Sequence, residues 1–225
     1  MNPLLQKPLA DDTHHIPFDK IQNEHFGPAL DNSISLAQSG LQRIASAPAG
    51  FKETIEGIEF HREQLDRVSL VFFNLVSANT NDFLQALAKE VSPKLAELAN
   101  DLLLNSEIFA RVKEVYEKRS TLGLNPEQLQ LVDKTYKAFR RNGALLSATE
   151  KDALREIDKK LAGITQEFSD HVLKATNDYV LFVEDESAIL ELPKGSLEDA
   201  KSTANEKGRP EAWAFTLQHP SLLPF

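Results

Sequence analysis

Between residues 55 and 75, apolar side chains recur at steps of three, four or seven: Ile55, Ile58, Leu65, Val68, Phe72 and Leu75. That spacing gathers them on one side of a helix, whereas a strand would scatter them over both faces of a sheet. The same period returns in Leu84, Leu87, Val91, Leu95, Leu98 and Leu102, then in Leu129, Val132, Tyr136 and Phe139. It returns again in Leu154, Ile157, Leu161, Ile164, Phe168 and Val172. Helices that each carry one apolar stripe must bury it against one another, so the expected fold is all-α, an antiparallel helical bundle. In the second helix, Leu70, Val71, Phe73 and Val76 widen the stripe until most of the circumference is apolar. That width predicts burial with helices on several sides.

Start and stop signals predict helices over about residues 28–46, 52–78, 82–104, 106–121, 126–142, 148–177 and 197–207. Pro28 stands where a first turn tolerates it, and Ala47-Pro48-Ala49-Gly50 ends the run that follows. Asn81, Asn105, Asn125 and Ser147 are cap candidates, and Ser147 with Glu150 has capping-box spacing. Pro93 predicts a kink or a local restart at Ser92. Two β-rich runs, at about 179–183 and 212–217, are expected to pair as a small two-stranded ribbon near the C-terminus. Residues 1–18 read as an extended arm and 19–225 as a single helical lobe.

Composition excludes several classes. With no cysteine, the chain has no disulfide, thiolate nucleophile or cysteine-ligated metal. A net charge of −9, with no basic stripe, argues against a nucleic-acid partner. No apolar run is long enough for a membrane span. Residues 1–5 show no leader, which points to the cytoplasm, or to the periplasm if a leader has been removed.

Chemistry-bearing residues are sparse. The histidines are His14, His15, His25, His61, His171 and His219, and none lies in an H-E-x-x-H helix, the pattern that grips zinc between two imidazoles one turn apart. His14-His15 reads as part of the exposed arm and His25 as a capping or packing residue. His61, with Glu59 and Glu63, reads as a solvated helix face, and His171 as a surface pair with Asp170. Glu184-Asp185-Glu186 reads as a solvated turn rather than an acid/base pair. No catalytic or metal-binding residue is therefore assigned in this chain, and its substrate-binding residues are left unknown.

Several stretches, in order, carry a resemblance: Asn2-Pro3-Leu4-Leu5, Pro17-Phe18-Asp19-Lys20-Ile21, His25-Phe26-Gly27-Pro28-Ala29 and Ser77-Ala78-Asn79-Thr80-Asn81. They continue with Asn105-Ser106-Glu107-Ile108-Phe109, Phe139-Arg140-Arg141-Asn142-Gly143-Ala144 and Pro220-Ser221-Leu222-Leu223-Pro224. Their order is similar to the N-terminal region of the thimet/neurolysin-type zinc oligopeptidases, most like the dipeptidyl carboxypeptidase branch, with oligopeptidase A second. The resemblance implies a neurolysin-like N-terminal lobe that walls a peptide channel, with zinc and the catalytic residues carried by a C-terminal lobe. It implies as partners that catalytic lobe and, in the full enzyme, short peptides from which C-terminal dipeptides are cleaved. This chain would hold no cofactor, would be inactive alone, and could self-associate through the broad apolar face of its second helix. The rival reading is a stand-alone helical module that binds peptides or a protein without enzyme activity.

Overall fold

The computed structural model describes residues 2–6 and 16–225. They form two compact units, Met1–Gln166 and Glu167–Phe225, where the sequence leads one to expect a single lobe over 19–225. The reason is local. The two strands and a short helix near the C-terminus close around a small core of their own, Ile189, Ala200 and Phe215, with Leu197 and Trp213 against it.

The first unit is helical. Its elements are α1 (Phe26–Ser46), α2 (Gly57–Phe60), α3 (Glu63–Ala78), α4 (Asp82–Leu103), α5 (Ser106–Lys118) and α6 (Pro126–Arg141), followed by the first part of α7 (Ala148–Asp178). The caps are those the sequence signals. The Asn81 side chain accepts from the Leu84 N–H at 3.0 Å, and Asn105 accepts from the N–H groups of Glu107 and Ile108 at 2.9 and 3.0 Å. Asn125 and Gln128 complete a capping box at α6. At α7 the Glu150 carboxylate accepts from both the N–H and the hydroxyl of Ser147, which holds its pKa below the usual glutamate value. Each such cap satisfies donors that a first helical turn otherwise leaves orphaned.

The expected helix over 52–78 is broken. Residues Phe51–Glu56 form a π-helical turn, α2 follows, and His61-Arg62 interrupts the chain before α3. Side-chain bonds stabilise the break: His61 Nδ1–H donates to the Ile58 carbonyl at 2.6 Å, and Arg62 Nε donates to Asp66 at 2.7 Å. Pro93, by contrast, is carried within α4 as one continuous element.

The core joins α1, α3, α4, α5 and α6 through Phe26, Leu30, Phe72, Leu84, Ile108 and Phe139. Phe26 and Phe72 meet at 5.3 Å between ring centroids, and Tyr136 stacks on Tyr116 at 3.9 Å and on Phe109 at 5.9 Å. In α3 only one side is enclosed: Leu65, Val68, Val71 and Phe72 are buried, while Leu70 is 73% exposed. The stripe is thus covered within the chain by its own helices, while Leu70 on the widened face stands exposed.

The arm also differs from the extended form expected. Residues Pro3–Leu5 make a 3₁₀ turn, Leu4 is buried in the core, and its carbonyl accepts from Arg67 Nη2 at 3.1 Å. Asn2 Nδ2 donates to the His25 carbonyl at 2.7 Å. Positions 7–15, with His14 and His15, lie outside the described residues.

The second unit holds the end of α7, β1 (Val180–Val183), α8 (Lys194–Glu206), β2 (Trp213–Thr216) and α9 (His219–Leu222). The strands pair antiparallel, Val180 opposite Thr216 and Val183 opposite Trp213, which is the ribbon the sequence predicts. Lys201 Nζ lies 4.0 Å from the Trp213 ring centroid, a cation–π contact between α8 and β2.

Candidate functional site

A groove of about 610 Å³ in the first unit runs between the C-terminal half of α1 and the start of α5, with α4 and α7 contributing. Gln38 and Gln42 sit one helical turn apart on α1, so their amides share a face. Opposite them stand Asn105 and Glu107, and the groove is closed by Arg155 of α7, which pairs with Asp101 of α4 at 2.9 Å. The Asn105 oxygen is used as the α5 cap, which leaves its NH₂ as a donor. This wall offers amide donors and acceptors and one ion pair, the groups that hydrogen-bond an extended backbone. Its Ser46 hydroxyl donates to the Gln42 and Arg43 carbonyls at 2.9 and 3.2 Å, not to a side-chain base as acyl transfer would need.

A second cleft, about 450 Å³, is lined by Gly40, Arg43, Lys52, Gly57 and His61. Here the sequence reading of His61 is corrected. The ring is half-buried at the α2–α3 break rather than on a solvated helix face, and burial, the largest cause, pushes its pKa below the usual histidine value. The neutral ring donates through Nδ1 to Ile58, an arrangement that suits a structural role. His25 matches the capping role read for it, since its Nδ1 accepts from the Gln22 N–H at 3.0 Å. His171 and His219 are exposed.

The acidic run falls in the second unit as a solvated turn. Asp185 accepts from the hydroxyl and N–H of Ser187, which keeps its carboxyl below the usual range, and Glu184 pairs with Arg209. Among the described residues no three His, Asp or Glu side chains converge as metal ligands. The donor set among the described residues does not fit a zinc site. Among the described residues, no helix is long and apolar enough to cross a membrane.

No family model matches the sequence. Comparison with curated proteins is more informative. The chain is 36% identical to the dipeptidyl carboxypeptidase of Escherichia coli (strain K12), over 99% of its own length and 33% of that protein. The chain is similar to the N-terminal region of the thimet/neurolysin-type oligopeptidases. The Salmonella typhimurium dipeptidyl carboxypeptidase is 35% identical over 98% of the chain and 33% of the relative. Escherichia coli oligopeptidase A is 24% identical over 98% and 32%. The oligopeptidase resemblance is thus stronger toward the dipeptidyl carboxypeptidases than toward oligopeptidase A, in the order read from the sequence. The chain spans about a third of the length of these relatives.

The α1–α5 groove was not legible in the sequence. No sequence signal singles out Gln38 and Gln42, and nothing in the sequence says that α5 and α7 rise opposite.

Proposed function

We propose that the chain acts as the N-terminal helical part of a zinc-dependent peptidase of dipeptidyl carboxypeptidase type, which releases C-terminal dipeptides from short peptides in the cytoplasm. Its own residues hold and orient peptide, and the catalytic residues come from elsewhere in the polypeptide. The observation that carries this reading is the 36% identity maintained along 99% of the chain. The fold is compatible with it, because a rigid helical wall supplies orientation rather than bond-breaking chemistry. The test reads the coding sequence beyond Phe225 and assays the encoded protein. The expected result is an H-E-x-x-H helix downstream and dipeptide release that chelation abolishes and zinc restores. A coding sequence without that helix would sink the proposal.

The α1–α5 groove favours one rival, a module that binds peptide without cleaving it. Saturable binding of short peptides by a protein whose reading frame stops after Phe225 would establish that reading instead.

A further inference from the structure

The apolar positions of α7 repeat with the period that buries α3, yet among the described residues of α7 only Lys151 is buried. Two contacts near its start hold the helix to its neighbours. The Lys151 ammonium donates to the Ser106 hydroxyl of α5 at 2.9 Å, and Arg155 pairs with Asp101 of α4 at 2.9 Å. Ile157, Leu161, Ile164 and Phe168 lie on the other side of the helix and are each more than half exposed. A single exposed leucine is ordinary, whereas a contiguous row marks a face that another body covers.

The steps within this row are four, three and four residues, the alternation of a coiled-coil seam. The seam has definite ends. Before it, Leu154 packs close to Gly143 of its own chain, and after it the next seam position is the polar His171. Lys160 and Glu167 flank the seam on one side, seven residues apart, and both are exposed.

We propose that this face pairs with the same face of a second copy of the chain, the two α7 helices running antiparallel about a twofold axis between Leu161 and Ile164. In that alignment Leu161 packs against Ile164 of the second copy and Phe168 against Ile157 of the second copy, which by symmetry makes four layers. Lys160 then faces Glu167 of the second copy, and the axis repeats the pair. The charges select this register, as flanking charges do in such seams. A shift of one heptad in either direction sets Lys160 against Lys160, or Glu167 against Glu167. A parallel pair sets Lys160 beside Thr165 and Glu167 beside Val172, with no charge pair at all. The antiparallel face is self-complementary, which an interface between identical chains requires.

Because α7 is already helical in each chain, pairing carries no cost of forming the helix. Four layers are fewer than a standard interface supplies, so the dimer is weak, with a dissociation constant on the order of 10–100 µM. At about 1 µM the chain is a monomer with this stripe in water. The pairing does not depend on the peptidase reading.

The experiment is sedimentation equilibrium of the 225-residue chain from about 1 to about 500 µM, and the expected result is a monomer–dimer equilibrium. Leu161→Lys, which sets an ammonium from each copy into the centre of the seam, is expected to stay monomeric throughout. Lys160→Glu and Glu167→Lys each turn both ion pairs into repulsions and are expected to raise the dissociation constant about tenfold. The double variant Lys160→Glu/Glu167→Lys exchanges the charges and is expected to return the constant to within about threefold of the unaltered chain. A merely structural role for either side chain would give no such rescue. The three positions are exposed, and circular dichroism checks that each variant stays folded. The proposal is overturned if the unaltered chain stays monomeric at the highest concentration, if Leu161→Lys dimerises as readily as the unaltered chain, or if the double variant dimerises no better than the single ones.

Discussion

A Cβ placed on Gly40 of α1 would lie 2.9 Å from the Cβ of His61, and 3.4 Å from its carbonyl oxygen. This close approach lets the α2–α3 break pack on α1, and it is backbone and Cβ, not a flexible side-chain end, that would have to yield. Gly40→Ala gains helix propensity, about 1 kcal/mol, but forces the two segments apart, an overpacking cost of about 1–3 kcal/mol. The expected outcome is net destabilisation, measured as a lower urea midpoint with an unchanged slope. A midpoint equal to or above that of the unaltered chain would show that the break can move at no cost.

The same histidine gives the fold a pH dependence. Burial lowers the folded-state pKa of His61 below its ordinary value of about 6.5, against a smaller opposing effect of the Ile58 hydrogen bond. In that window the unfolded chain binds the proton more readily than the folded one, so stability rises with pH. The contribution of His61 is fully present above the ordinary value, falls as pH drops below it, and is lost once pH passes the lowered folded value. Urea midpoints taken between neutral and mildly acidic pH should show this slope, and His61→Gln should flatten it. An equal slope in both proteins would assign the effect to other groups.

Phe139 tests the centre of the core. It is almost wholly buried, and its ring stacks on Phe109 at 6.0 Å. Phe139→Ala is expected to cost about 3–5 kcal/mol through lost burial and the cavity left behind. Chemical unfolding monitored by circular dichroism measures it, and a loss below about 1 kcal/mol would contradict this placement.

Exposure separates two positions that look alike in the sequence. Leu161 on α7 is 58% exposed, with Ile157 at 59% and Ile164 at 61%, whereas Val68 on α3 is fully enclosed. Leu161→Lys should therefore change stability by no more than about 0.5 kcal/mol. Val68→Lys should cost about 3 kcal/mol or more, because an unpaired ammonium would be left in the core. Similar losses in both variants would mean that the α7 stripe is covered in solution.

Local signals were readable wherever the interaction is local. Asn81, Asn105, Asn125 and Ser147 cap helices because a side chain reaches backbone donors two or three residues away, and the strand runs pair as their composition predicts. The histidine reading held for His25, whose partner Gln22 is three residues off. It failed for His61, whose environment is set by Gly40, twenty-one positions away.

The sequence by itself determined the all-helical architecture, the ends of most helices and the oligopeptidase resemblance, because period, caps and residue order are properties of the chain alone. Tertiary structure decided the rest. Which stripe is covered depends on which neighbour stands opposite: α3 finds α1 and α4, while Ile157, Leu161 and Ile164 stay in water despite the same spacing. The clefts at Gln38 and Gln42 and at Asn100 exist only where separate helices converge. Periodicity fixes the direction in which a side chain leaves its own helix, and it carries no record of what that side chain meets.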